Sequence, residues 1–300
     1  MKPNSLRVIH TISDVGAAAE TFLALNGHGE SLTELRICIS NDSMPHLSLL
    51  AGCTSLEALR IEDEHGTIVL EDTQNDVFLE TIDWLRKCEK LERLSFVQVL
   101  SASALLTPVL LEHKIRLRNL EIDSYVLRDS RQFHQALAHQ KDSLSFLSLS
   151  GETDGMFRDD LDIIVDSLNQ LSELKVLRLV LQEVFHEDHL ISIIADLKLL
   201  EELYVYGLEL TDRILDIVGS LGNMRSVTFA GISKFTVDGL LEFVSHLGPG
   251  NQGIRVMIDM ADPDTMLADD QISLIRESLY KKVGGSLEYT PWRGKFVGTF

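Results

Sequence analysis

The 300-residue sequence is short of cysteine, of positive charge and of long apolar runs. Its three cysteines, Cys38, Cys53 and Cys88, are odd in number and none stands in a CxxC pair. That excludes a disulfide framework and a zinc knuckle and fits a reducing compartment, the cytoplasm or the nucleus. Lys plus Arg number 27 against 46 Asp plus Glu, a net charge of −19 that repels nucleic acid and anionic membranes. The longest uncharged stretch, FVQVLSASALLTPVLL, is interrupted by polar residues and Pro108, so no membrane span is expected. The start MKPNSLRVIHTISDVGAAAE has no apolar core of a signal peptide. One glycosylation sequon, Asn41-Asp42-Ser43, is what chance supplies in a chain of this length. No GxSxG, P-loop, HExxH or paired Cys/His signature occurs, which leaves an enzyme no local motif.

What is present is a core and a repeat. Hydrophobic residues make up 45% of the chain, enough for a large interior. The pattern L-x-x-L-x-L, with conservative replacements, occurs as LTELRI at 32, LEALRI at 56, LERLSF at 91, LRNLEI at 117, LSFLSL at 144, LKVLRL at 174, LEELYV at 200 and MRSVTF at 224. Start-to-start steps are 24, 35, 26, 27, 30, 26 and 24 residues, mostly within or near the roughly 20–29 residues of leucine-rich repeats. Fainter strands begin at Ser5 and Ile254. Period two puts Leu203 and Val205 on one side of a strand and Glu202, Tyr204 and Tyr206 on the other. Between the strands, helical spacing appears at 76–88, 130–140, 159–171, 187–200, 211–222 and 236–248. Thr211 and Thr236 fit helix N-caps, and Gly222 and Gly248 fit C-terminal stops. One strand with one helix cannot bury its own apolar face. The units therefore stack into a curved α/β solenoid, a horseshoe with a parallel sheet on the concave face and helices on the convex face.

The segments LYVYGLELTDRIL and VTFAGISKFTVDGLL resemble units of ribonuclease-inhibitor-like leucine-rich repeats, in particular the repeat region of F-box proteins. The resemblance covers about residues 30 to 260. It implies a repeat surface that recognises a substrate protein for a ubiquitin ligase. Residues 1–30 are too short for an F-box and hold no LPxE start, so the ubiquitin connection is implied only for a longer protein. The ninth repeat positions hold Ser40, Glu64, Val99, Tyr125, Glu152, Gln182, Leu208 and Ile232, so no asparagine ladder is possible and uneven turns are expected. The expected organisation is an N-terminal strand and helix cap over 1–30, a solenoid over 31–260 and a C-terminal cap over 261–300. In that cap DQISLIRESLYKK and the aromatic residues Tyr289, Trp292, Phe296 and Phe300 cover the last rung.

Short motifs with chemical associations yield to plainer readings. GPGNQG at 248–253 matches GxGxxG, but a helix precedes it and a strand follows, the reverse of a dinucleotide site, so it reads as a helix stop and a turn. His186 and His189 share a spacing that could hold a metal but lack a marked third ligand. His134 and His139 are five apart and off a common face. The acidic run Asp259, Asp262, Asp264, Asp269 and Asp270 lacks the glycine and glutamate of a calcium loop. No metal or cofactor is expected.

The outward strand positions give the candidate site. Phe146, Val176, Val180, Tyr204 and Tyr206 fall on successive rungs as an aromatic-rich cluster of the kind found at interface centres. Against this stands cover by loops or by the C-terminal tail. Arg36, Arg60 and Arg93 make a positive edge on rungs one to three, against which stands pairing with Glu34, Glu62 and Glu92. The sequence reads as a monomeric, non-catalytic module that binds a protein on its concave face. Two alternatives are a GTPase-activating regulator of the same fold and a receptor for a small anion such as an inositol phosphate.

Overall fold

The computed structural model describes residues 2–11, 17–66, 69–126, 130–152, 158–181, 185–207 and 209–292. The chain divides into two compact units, Met1–Glu173 and Leu174–Phe300.

The first unit carries strands β1 (Val8–His10), β2 (Glu34–Ile39), β3 (Ala58–Asp63), β4 (Arg93–Val97), β5 (Asn119–Val126) and β6 (Phe146–Glu152). Each pairs in parallel with the next in chain order. Its helices are α1 (Ala19–Asn26), α2 (Leu70–Thr73), α3 (Asn75–Lys87), α4 (Ala102–Leu110), α5 (Arg131–Leu137) and α6 (Arg158–Asn169), with 3-10 turns at Met44–Gly52 and Ala138–Gln140. The second unit carries β7 (Val176–Leu181), β8 (Glu202–Tyr206), β9 (Ser226–Ser233), β10 (Arg255–Ala261) and β11 (Ser286–Pro291). These too pair in parallel and in order. Its helices are α7 (Glu187–Asp196), α8 (Asp212–Gly219), α9 (Val237–His246) and α10 (Asp269–Val283). Both units are leucine-rich-repeat stacks in which each strand is joined to the next by one or two helical segments.

Register explains the repeat. Within the first unit Leu35, Leu59, Leu94, Leu120 and Leu147 stand opposite one another, and Ile37, Ile61, Phe96, Ile122 and Leu149 form the next row. In the second unit the same two rows are Leu177, Leu203, Val227, Val256, Leu287 and Leu179, Val205, Phe229, Ile258, Tyr289. All of these but Tyr289 are buried against the helices, each contributing about 1.5–3 kcal/mol relative to exposure. The first leucine of the motif packs in a third row, and three residues before it most repeats bury another side chain, Cys53, Cys88 and Leu171 in the first unit and Leu197, Leu221 and Asn251 in the second, whereas Lys114 and Lys141 at that position are exposed. The two cysteines at this position are core. Burial pushes the Cys53 thiol up to about 11 and the Cys88 thiol up to about 12.

Side chains also tie one repeat to the next. Thr211 caps α8, accepting from the Arg213 N–H at 3.4 Å, and Thr236 caps α9, accepting from the Gly239 N–H at 3.0 Å. Each cap is itself gripped by a carboxylate from the preceding repeat. Thr211 N–H and hydroxyl donate to Glu187 at 2.7 and 2.8 Å, and Thr236 N–H and hydroxyl donate to Asp212 at 2.9 and 2.6 Å. Gly239 is required there, because a Cβ on it would stand 2.1 Å from the Asp212 carboxyl carbon. The stops are shorter than the sequence suggests: α8 is capped at Ser220 and α9 at Leu247, one or two residues before Gly222 and Gly248.

The stretch after residue 261 continues the repeat, since α10 is followed by β11 paired along β10. Phe296 and Phe300 lie outside the described residues. Of the ninth positions, Gln182 and Leu208 lie outside them as well. Val99 is buried, Ile232 is 40% exposed, and the Ser40 N–H donates to the Ser43 hydroxyl in a local turn.

Candidate binding surface

Helices cover one side of each sheet, so the strand residues between the two buried rows point to the open side. Tyr204 and Tyr206 flank Val205 on β8 and are partly exposed, whereas Leu203 and Val205 are buried at 2% and 1%. Val176 and Val180, on the adjacent β7, are partly exposed too, with Val176 opposite Glu202 and Val180 opposite Tyr206. Arg178 stands opposite Tyr204, and its guanidinium lies 3.9 Å from the Glu202 carboxylate. The Tyr204 phenol is raised above its ordinary range, first by partial burial, then by Tyr206 and Asp259, with Arg178 opposing. A half-buried ring with its hydroxyl at a wet edge is the arrangement that serves at interfaces. Met257, on β10, is exposed on this side of the same unit. The second unit therefore presents Val176, Arg178 and Val180 on β7, Tyr204 and Tyr206 on β8, and Met257 and Asp259 on β10. Phe146 belongs to the first unit, at the start of β6, and is partly exposed.

The first unit has a different character. A hollow of about 360 Å³ opens on its sheet, lined by Arg36, Arg60, Arg93, Glu34, Glu121 and Phe146 among others. Its depth comes from Ala58. That short side chain sits between Glu34 and Arg93 on the neighbouring strands, so the long side chains around it leave a gap.

Each arginine of the hollow faces a carboxylate. Arg93 Nη2 donates to Glu34 Oε2 at 3.1 Å, Arg36 Nη2 lies 3.5 Å from Glu62 Oε2, and Arg60 Nη1 donates to Glu121 Oε2 at 2.9 Å. Arg60 Nη1 also donates to the Ser95 hydroxyl at 3.0 Å, which donates to Glu121 at 2.7 Å. His10 Nε2 approaches the other oxygen of Glu34 at 2.7 Å. Glu34 and Glu62 thus pair with this edge as the sequence allows, while Glu92 pairs with Arg118 instead, at 3.4 Å. The result is an alternating lattice of three cations and three anions. Its carboxylates hold the guanidinium groups in place and cancel their charge locally.

The other motifs resolve as structure. The His186 N–H donates to Nδ1 of His189 at 3.1 Å, and the two rings stack, which starts α7. His134 is fully buried on α5, while His139 is exposed. Asp262 accepts from the Asp264 N–H at 2.9 Å within a 3-10 turn. In GPGNQG, Gly250 lies where a Cβ would be 2.0 Å from the Gly222 carbonyl oxygen, and Gly253 has φ +73°. Among the described residues no three His, Cys, Asp or Glu side chains are grouped to hold a metal ion, and no helix is long and apolar enough to cross a membrane.

No protein-family description and no curated protein matches the chain. Among solved structures it is similar to an internalin, InlF of Listeria monocytogenes, at 17% identity and a TM-score of 0.49, over 82% of this chain. The match spans 60% of the internalin chain.

Proposed function

We propose that the protein is a non-catalytic interaction module whose open sheet face recognises another protein. The observation that carries this reading is the partial exposure of Tyr204 and Tyr206, with Val176 and Val180 on the adjacent strand and Met257 two strands away, on the open side of the second unit. Large, stiff, amphipathic rings of this kind supply most of the binding energy where protein surfaces meet. Phe146 and the lattice of Arg36, Arg60 and Arg93 with their glutamates supply a second, polar contact region on the first unit. Fixed ion pairs of this sort select a partner by charge pattern more than they add affinity.

A narrower role, substrate recognition as the adaptor of a ubiquitin ligase, rests on the resemblance of LYVYGLELTDRIL and VTFAGISKFTVDGLL to F-box repeat regions. A monomer working in the cytoplasm or nucleus fits three cysteines of which two are buried in the core. The reading of the arginine edge as an anion receptor is weaker, because each guanidinium already faces a carboxylate. Failure of inositol hexakisphosphate to raise the melting temperature removes it.

The test compares Tyr204→Ala/Tyr206→Ala with Leu203→Ala. Proteins recovered by proximity labelling with the native chain should be lost with the double tyrosine variant, whose melting temperature stays near native. Loss of the two rings should weaken binding by about 2 kcal/mol or more. Leu203→Ala should instead cost about 2–5 kcal/mol of stability through a core cavity. A tyrosine variant that melts as early as Leu203→Ala, or that recovers every partner unchanged, overturns the reading.

A further inference from the structure

The helix side of the first unit holds a groove of about 630 Å³ along α3, α4 and α5, unconnected with the sheet face. Its walls are apolar: Phe78 and Ile82 from α3, Pro108 and the following Leu111, and Phe133 from α5. The size falls within the roughly 300–1,000 Å³ of pockets that take small organic ligands.

The polar groups in this groove are predominantly acceptors. Among the described residues, Glu71, from α2, is the sole ionisable residue lining it, and its Oε2 is enclosed with no hydrogen-bond partner among them. An enclosed carboxylate oxygen with no donor is costly, so such atoms are normally matched. Pro108 has no N–H to give the Ala104 carbonyl four residues earlier, and Ala104 also lines the groove. The Thr107 hydroxyl already donates to the Ser103 carbonyl at 2.7 Å, and the Ser130 hydroxyl donates to the Ser103 hydroxyl at 3.0 Å. Both therefore face a ligand chiefly as acceptors. Among the described residues, the donors left to this groove are the Ser103 hydroxyl, which accepts from Ser130, and the exposed Gln132 amide, both uncharged.

An apolar trough with an unmatched carboxylate and a proline-freed carbonyl selects for a donor that carries positive charge. The geometry points to a binding site for a small organic cation, a primary ammonium joined to an aryl or alkyl body. The ammonium donates to Glu71, and the body lies along Phe78, Ile82 and Phe133. A neutral alcohol of the same shape matches the walls but not the charge. A carboxylate is repelled by Glu71.

The test uses 4-phenylbutylammonium, 4-phenylbutanol and 4-phenylbutyrate as probes of the full chain, followed by amide chemical shifts in NMR titrations. The ammonium should move the resonances of Glu71, Ala104, Thr107 and Phe133 and bind about tenfold more tightly than the alcohol, with no binding of the carboxylate. Glu71→Gln, which keeps the side-chain shape, should weaken the ammonium about tenfold and leave the alcohol unchanged, as expected for one charge-assisted hydrogen bond. Equal binding of ammonium and alcohol by the native chain overturns the proposal, as do shifts confined to other residues. That comparison needs no variant, so it decides even if Glu71→Gln folds poorly.

Discussion

Asn251 offers a sharp test of how the repeats are joined. Its side chain is 1% exposed and makes three bonds to backbone: Oδ1 accepts from the Gly248 N–H at 3.0 Å, and Nδ2 donates to the carbonyls of Leu221 at 2.8 Å and Met224 at 3.1 Å. One amide thus closes its own turn and fastens the turn of the preceding repeat. Gln140 does the same in the first unit, accepting from the Leu117 N–H at 3.0 Å and donating to Leu110 and Ile115 at 2.8 and 3.3 Å. Asn251→Ala strands the Met224 carbonyl and the Gly248 N–H and leaves the Leu221 carbonyl only its 3.4 Å bond from the Met224 N–H. At about 1–3 kcal/mol for a buried group left unmatched, with partial relief from entering water, the loss should be about 3 kcal/mol. Asn251→Asp should be worse at neutral pH, because it cannot donate and sets a carboxylate against two carbonyl oxygens. That environment raises the folded-state pKa of the new carboxyl, so its deficit relative to alanine should shrink as pH falls and the group protonates. Urea denaturation followed by circular dichroism at pH 7 and pH 4.5 measures both. An alanine loss below about 1 kcal/mol, or an aspartate no worse than alanine at pH 7, refutes the account.

The strands were legible because their signal is redundant. Leu35, Leu59, Leu94, Leu120 and Leu147 recur at one motif position, and burial on one side leaves alternation as the only consistent pattern. Helices with strong apolar periodicity lie within a few residues of their expected spans. α1 (Ala19–Asn26) falls within the strand and helix cap expected over 1–30, whereas the segments outside every expected span lack the pattern: the 3-10 turn Met44–Gly52 that opens with Met-Pro, the short α2, and α4, whose Pro108 reads as an interruption of an apolar run. SLEYT, in β11, carries the same alternation as the other strands, with Leu287 buried and Glu288 exposed. The buried positions Cys53, Cys88 and Leu171 in the first unit and Leu197, Leu221 and Asn251 in the second were also legible in principle, although the exposed Lys114 and Lys141 interrupt the series before the motifs at 117 and 144. The buried members share no chemistry, so a search by residue type passes over them.

The candidate surface was legible only as far as period two carries. Alternation places Arg36, Arg60, Arg93, Tyr204 and Tyr206 on the open side, and their exposure agrees. Which carboxylate each arginine meets depends on strand register, which brings Glu34 and Arg93 together across the intervening Ala58. The hollow at Ala58 arises from one short side chain among long ones, a contrast visible only after the strands are aligned. The groove beside Glu71 joins residues of α2, α3, α4 and α5 with no shared motif, so no sequence pattern announces it.

Three further outcomes follow from enclosed groups. Cys38 is partly exposed whereas Cys53 and Cys88 are buried with thiols pushed up to about 11 and about 12, so Ellman's reagent should find one reactive thiol in the native chain and three in urea. Two or more rapid native equivalents contradict that packing. Asp212→Ala releases both the N–H and the hydroxyl of Thr236 and should cost about 1 kcal/mol in urea denaturation, as loss of a helix cap does. Asp212→Asn, which still accepts, should recover most of it. His134 is fully buried beside Phe133, and desolvation lowers its pKa from 6.5 to about 4. Between those values the unfolded chain binds a proton that the folded chain refuses, so stability must fall as pH drops from 6.5 to 4. The fall from this residue should approach about 3 kcal/mol, since each pKa unit is worth about 1.4. Above pH 6.5 it contributes no slope. His134→Leu keeps a buried apolar side chain and removes the titration, so its stability curve should run flatter than the native one across that window. Parallel curves for the two proteins would show that the imidazole takes up its proton in the folded state as readily as in water.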